Sequence, residues 1–195
     1  MLDINPYHDP HFKPHSIDLK VLKDRCVLTV RVLLSAMHDW QYAYDSPAET
    51  PVYTVAPNLL GEHRRTAEKS LIRELLAIAV ELRTLDDIYA NLLKNKGYLS
   101  VRSKLDRKGE FGVLYRGTGK LSLRYCCNKL IHAADIRPVY DKSDDNEIWF
   151  MQGDIELTGF VNKSEWMISI DVMNFLEGVM DICGALEKLE EEGLL

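Results

Sequence analysis

IWFMQGDIELTGFVNKSEWMISI, residues 148–170, carries its apolar side chains at nearly every second position. Ile148, Phe150 and Gln152 lead across Gly153-Asp154 to Ile155, Leu157, Gly159 and Val161. Trp166, Ile168 and Ile170 alternate again after Asn162-Lys163-Ser164. A period of two marks strands with one face buried. Gly153-Asp154 is therefore predicted to be a two-residue hairpin turn, and the stretch a three-stranded antiparallel meander that Ile136 to Tyr140 joins.

On either side the period lengthens to that of a helix. Downstream, Asp171 is placed to cap a helix with Val172, Phe175, Leu176, Val179, Ile182 and Leu186 inward, ending in Glu190-Glu191-Glu192. Upstream, Lys120 to Asp135 is read as a third helix, with Leu123, Cys127, Leu130, Ile131 and Ala134 on one arc, stopped by the approach to Pro138. Lys96 to Gly119 holds five glycines and no sustained period, and is read as a long basic connection. Glu62 to about Lys94 reads as the second helix, with Ala67, Leu71, Leu75, Ala79, Leu82 and Leu92 on its stripe, Glu68, Arg73, Glu81 and Asp86 largely off it, and Gly97 ending it. Before it, Asp45 to Gly61, with prolines at 47, 51 and 57, reads as a loop. Helix one runs from the N-cap Ser16 to about Tyr44, and Val21, Leu22, Leu28, Val32 and Met37 recur at helical spacing. Its middle, CVLTVRVLLSAM, is apolar on nearly all sides. Residues 1–15, with prolines at 6, 10 and 14, read as an extended arm.

The expected fold class is thus α+β, mainly α. A single domain over 16–195 forms a bundle of about four helices, with a small antiparallel β-meander at about 136–170 before the C-terminal helix.

Of 195 residues 46% are hydrophobic, enough for one real core, yet no stretch has the roughly 20 apolar residues of a membrane span. Met1 opens a charged, Pro- and His-bearing segment instead of an apolar signal. Cys26, Cys126, Cys127 and Cys183 lack paired CxxC spacing, so four reduced thiols and a cytoplasmic location are expected. The net charge of −6 conceals a basic segment: Lys94 to Lys129 holds ten Lys and Arg against two acids, leaving −14 for the remainder. Such an excess draws in phosphate-bearing partners, and a solvated basic loop gives the same count.

The third helix reads KLSLRYCCNKLIHAAD, and Arg124, Asn128 and His132, at i, i+4 and i+8, form a polar line beside its apolar arc. A guanidinium to neutralise phosphoryl oxygens, an imidazole to move a proton and an amide to orient either one would serve phosphate chemistry. The same three also suit a helix boundary, with Arg124 solvated, Asn128 bonded to a neighbouring helix and His132 capping carbonyls near the C-terminus. Arg102, Lys104, Arg107, Lys108 and Lys129 are the candidate phosphate-binding residues. No metal ligand set is assigned: His8, His11 and His15 lie on the Pro-broken arm, with no CxxC or HExxH nearby.

The segment Cys127-Asn128-Lys129-Leu130-Ile131-His132-Ala133 resembles the motif helix of HEPN domains, helical bundles in which an Arg, often followed at once by Asn, precedes a His by several residues. Asn128 and His132 match that spacing. Cys127 stands where the family has Arg, and Arg124 is separated from His132 by seven residues, against the family's usual four to six. The resemblance covers about ten residues. It implies a protein that binds RNA or another phosphate-bearing ligand and a metal-independent endoribonuclease of toxin or phage-defence type, working without a cofactor. It also implies a homodimer in which two motif helices share a cleft. The alternative is a non-catalytic helical interaction or regulatory protein.

Other motifs fall away. Gly109 to Gly117 looks like part of a kinase glycine-rich loop, but no VAIK, HRD or DFG motif follows. Gly117-Thr118-Gly119-Lys120 is followed by Leu121 where a Walker A loop needs Ser or Thr. His63, Arg64 and Arg65 are read as surface charge opening helix two, and Trp40, Tyr42 and Tyr44 as core or interface aromatics.

Overall fold

A computed structural model describes residues 17–39, 57–108, 111–142 and 149–194. Over the described residues the fold is α+β and mainly α: five α-helices and a four-stranded antiparallel sheet, the last helix following the sheet. The arm with its histidines, Ser16, Trp40, Tyr42 and Tyr44 lie outside the described residues.

Helix α1 (Leu19–Met37) starts at Asp18, whose carboxylate accepts from the Lys20 and Val21 amides at 2.8 and 3.3 Å. Its middle is apolar on nearly all sides, as expected, but only one side is covered. Leu22, Cys26, Thr29, Leu33 and Ala36 are buried, whereas Val21, Val27, Leu28 and Leu34 face outward. Helix α2 (Pro57–Asp86) begins with Pro57, where a missing N–H costs nothing, so Gly61 lies inside the helix and not in a loop before it. Its stripe Ala67, Leu71, Leu75, Ala79 and Leu82 is buried as expected, but Leu92 is exposed and Asp86 is buried. A π-helical turn over Asp87–Leu92 follows.

Two elements occupy what reads as a connection. Helix α3 (Lys96–Lys108) is opened by Asn95, whose side chain accepts from the Tyr98 amide at 2.9 Å. Gly97 does not end a helix. It lies in the first turn of α3 against α5, where an added Cβ would sit 2.6 Å from the Leu189 side chain. Strand β1 (Gly112–Arg116) then adds a fourth strand to the sheet.

Helix α4 (Leu123–His132) is capped by Ser122, whose hydroxyl accepts from the Tyr125 amide at 3.2 Å. Strands β2 (Asp135–Lys142), β3 (Trp149–Val161) and β4 (Ser164–Asp171) complete a sheet of order β1-β4-β3-β2. Asn162-Lys163 turns β3 into β4 where the break is expected, with Val161 opposite Ser164, which already belongs to β4. Gly153-Asp154, in contrast, is not a turn: β3 runs straight through it. One residue of β2 stands opposite three of β3 between the pairs Pro138–Ile155 and Tyr140–Met151, and Gly153 takes φ +109° in that irregularity.

Helix α5 (Val172–Glu191) is capped by Asp171, which accepts from the Asn174 amide at 2.9 Å, and its six predicted inward residues are all buried. The sheet's inward residues Ile155, Leu157, Ile168 and Ile170 join them in one core, with α1, α4 and α5 against β3. No described helix is long and apolar enough to cross a membrane.

Candidate functional site

Helix α4 lies on α2 and buries Leu123, Cys126, Cys127 and Leu130. This burial turns the Arg124 line toward the end of α2. Arg124 is half-buried there and bound twice, by Nη1 to Asp86 and by Nη2 to Asp87 at 2.9 Å. Burial works against its charged form, but the bonds to Asp87 and Asp86 outweigh that and raise its pKa above the ordinary value.

Asp86, with 4% of its side chain exposed, is the hub. It accepts from Tyr98 Oη at 3.0 Å, from Arg102 Nη1 at 2.7 Å and from Arg124. Burial and the neighbouring carboxylate push the Tyr98 phenol up, so it stays a neutral donor. Arg102 reaches Asp106 as well, at 3.7 Å, and Asp106 accepts from the Leu123 amide at 3.3 Å at the start of α4. Burial raises the Asp106 carboxyl above its usual range, only partly offset by that amide and by Arg102. Asp87 pairs with Arg83 and Arg124 and accepts from Asn91 Nδ2 at 2.8 Å. Although burial opposes its charge, the two arginines hold its pKa down.

Asn128 Oδ1 accepts from Arg83 Nε at 2.8 Å. One turn on, His132 is exposed. The space enclosed among Leu82, Asp86, Tyr98, Arg102, Arg124 and Cys127 is about 10 Å³, close to one water molecule and far below a nucleotide. Three arginines (83, 102, 124) thus meet three carboxylates (86, 87, 106), and the network is neutral.

Of the other basic residues from Lys94 to Lys129, Arg116 pairs with Glu165, Lys94 and Lys120 are exposed, and the remaining five fall into two groups. Lys96, Lys104, Arg107 and Lys108 are all exposed and occupy an arc of about 120° on α3, away from the buried Tyr98 and Leu105. Among the described residues no carboxylate lies within ion-pair distance of these four, and Arg107 Nε donates only to the Ser103 carbonyl at 3.2 Å. Lys129 is turned toward the sheet instead, its Nζ 3.9 Å from the Trp166 ring centroid and 5.0 Å from that of Tyr125. Burial lowers its pKa.

Sequence reasoning places Arg124, Asn128 and His132 on one helix face and allows Asn128 a bond to a neighbouring helix, which Arg83 of α2 supplies, but it leaves Arg124 solvated where Asp86 and Asp87 in fact bind it. Arg83, Asp86 and Asp87 come from another helix, and Asp86 in particular reads as surface. The change from α to π geometry at Asp87 has no sequence signature. His63, Arg64 and Arg65 do not open α2 but lie beyond its first turn. There His63 Nε2 is 3.1 Å from Ser35 Oγ, Arg64 pairs with Asp39 at 2.6 Å, and Arg65 pairs with Glu62. Among the described residues no three His, Cys, Asp or Glu side chains are placed to hold a metal ion. No family model, no curated protein and no solved structure matches this chain.

Proposed function

We propose that this chain is a HEPN-like module that binds RNA or another phosphate-bearing ligand along the outer face of α3, and that the Arg124–Asn128 end of α4 holds the framework. The observation that carries this reading is the division of the basic residues. Arg83, Arg102 and Arg124 are neutralised by buried or half-buried carboxylates, whereas Lys96, Lys104, Arg107 and Lys108 stand in solvent on one arc with no such partner among the described residues. Phosphate contacts release counterions, so four contacts to a single strand give a salt slope near −3 and roughly a fifty-fold loss of affinity between about 50 and 200 mM salt. A gel shift with generic RNA at those two salt concentrations tests this. The triple change Lys104→Gln, Arg107→Gln, Lys108→Gln should remove most of the binding. Absence of binding at low salt sinks the phosphate reading and leaves a helical interaction or regulatory protein. Four buried thiols suit a reducing compartment, and we place the protein in the cytoplasm.

A second reading, an active metal-independent ribonuclease, is favoured by the exposure of His132 on the same helix face as Asn128. Its imidazole would accept the ribose 2′-hydroxyl proton and return one to the leaving 5′-oxygen, with Asn128 held by Arg83 to orient the phosphoryl group. RNA incubated with the protein in chelator should then acquire cyclic-phosphate ends, and His132→Ala should abolish cleavage with the fold unchanged. Intact RNA after incubation with the wild type eliminates the nuclease.

A further inference from the structure

The outward face of α1 has a symmetry of its own. Val21, Val27, Leu28 and Leu34 are 46, 42, 46 and 43% exposed, an unusual share of apolar surface for one helix of a packed bundle. Between them stand Asp24 and Arg31, both exposed and neither ion-paired with another described residue, whereas the adjacent Lys23 and Arg25 are paired with Glu187, Glu74 and Glu81. Reversing α1 about the midpoint between Val27 and Leu28 exchanges Val21 with Leu34, Asp24 with Arg31 and Val27 with Leu28. Every apolar position maps onto an apolar one, and the two charges map onto their opposites.

We infer that α1 is the contact of a homodimer in which two copies of α1 pack antiparallel across a two-fold axis at Val27 and Leu28. A two-fold contact must be self-complementary, with residue i meeting j and j meeting i, and this face meets that condition in both shape class and charge. At 1.5 Å per residue the Val21–Leu34 span is about 20 Å, and two Asp24–Arg31 pairs fix its direction, since a parallel arrangement would set like charges side by side. The line through Asp24 and Arg31 divides the face, with Val21 and Leu28 on one side and Val27 and Leu34 on the other. Reversal therefore brings each apolar side chain beside an apolar one at the same level, as in the mixed layers of an antiparallel helix pair. Beyond Val27, the groove of about 330 Å³ against α5 is lined by Val30, Leu176, Met173 and Met180, and extends the apolar contact onto side chains that adapt to what they meet. Glu177 in that groove offers Arg31 a second carboxylate once the copies close.

This inference is independent of RNA binding and differs from the dimer the resemblance implies, since it sets the two-fold axis on α1 and not between two copies of α4; sedimentation velocity without nucleic acid tests it over about 1 to 100 µM. The wild type should sediment as a dimer. Asp24→Arg or Arg31→Asp alone sets like charges together at two symmetric places and should weaken the dimer by about tenfold or more, whereas the double reversal should restore it. Leu28→Glu should yield a monomer with an unchanged circular-dichroism spectrum. A wild type that is monomeric throughout that range, or a dimer indifferent to both single reversals and to Leu28→Glu, overturns the proposal.

Discussion

Asp86 receives a phenol and two guanidinium groups while having almost no contact with solvent. A buried carboxylate is tolerable when such donors surround it, and removing it leaves Arg102 and Arg124 short of a counter-charge in a poorly solvated place. Asp86→Ala is therefore expected to cost about 3–5 kcal/mol, roughly 6–20 °C in melting temperature for a chain of this length. His132→Ala, at an exposed position, should stay within about 0.5 kcal/mol. Thermal unfolding of the two variants measures the contrast. An Asp86→Ala protein that melts with the wild type would mean that the network is not part of the framework.

At the scale of elements, the sheet edge depends on one backbone position. Gly112 takes φ +147° opposite Ile170, and a Cβ there would lie 1.9 Å from the Ser169 carbonyl oxygen. No side chain can fit without β1 moving off β4. Gly112→Ala should therefore destabilise by at least the ~1–3 kcal/mol of a strained backbone and uncouple β1. Hydrogen exchange should then be faster at the β1 amides while α5 keeps its protection. Unaltered exchange in β1 would refute this. Because β1 is joined to α3 by a short stretch and to α5 through the Asp171 N–H to Phe111 carbonyl bond at 3.1 Å, loosening it should also disturb the basic face.

Across the whole molecule, the four cysteines come from α1, α4 and α5 and meet the same core. Burial pushes the Cys26 and Cys126 thiols up to about 12 and Cys183 up to about 11, and holds Cys127 well above its ordinary value. Thiolate is then scarce at pH 8, and a reagent must wait for the core to open. The folded protein should resist a disulfide reagent at that pH, four thiols should appear on denaturation, and the slow labelling rate should follow global unfolding. Prompt labelling of any cysteine in the folded state would contradict the single core.

Local pattern was enough for α5, for the Asn162-Lys163 turn and for the mainly helical α+β class, because capping by Asp171 and a period of two or 3.6 are properties of the chain's own neighbours. The line of Arg124, Asn128 and His132 was legible for the same reason: helical geometry alone puts i, i+4 and i+8 together. The glycines were not legible, since a glycine marks either a chain reversal or a close approach. Gly97 yields to Leu189, Gly112 to Ser169, and Gly153 to an irregular pairing, so α3 and β1 read as loop and a strand interior read as a turn. The charge state of the site was likewise decided by the tertiary structure. Asp86 lies 38 positions from Arg124, and only the packing of α4 on α2 makes that carboxylate a buried partner and leaves Lys96, Lys104, Arg107 and Lys108 as the exposed basic face of α3.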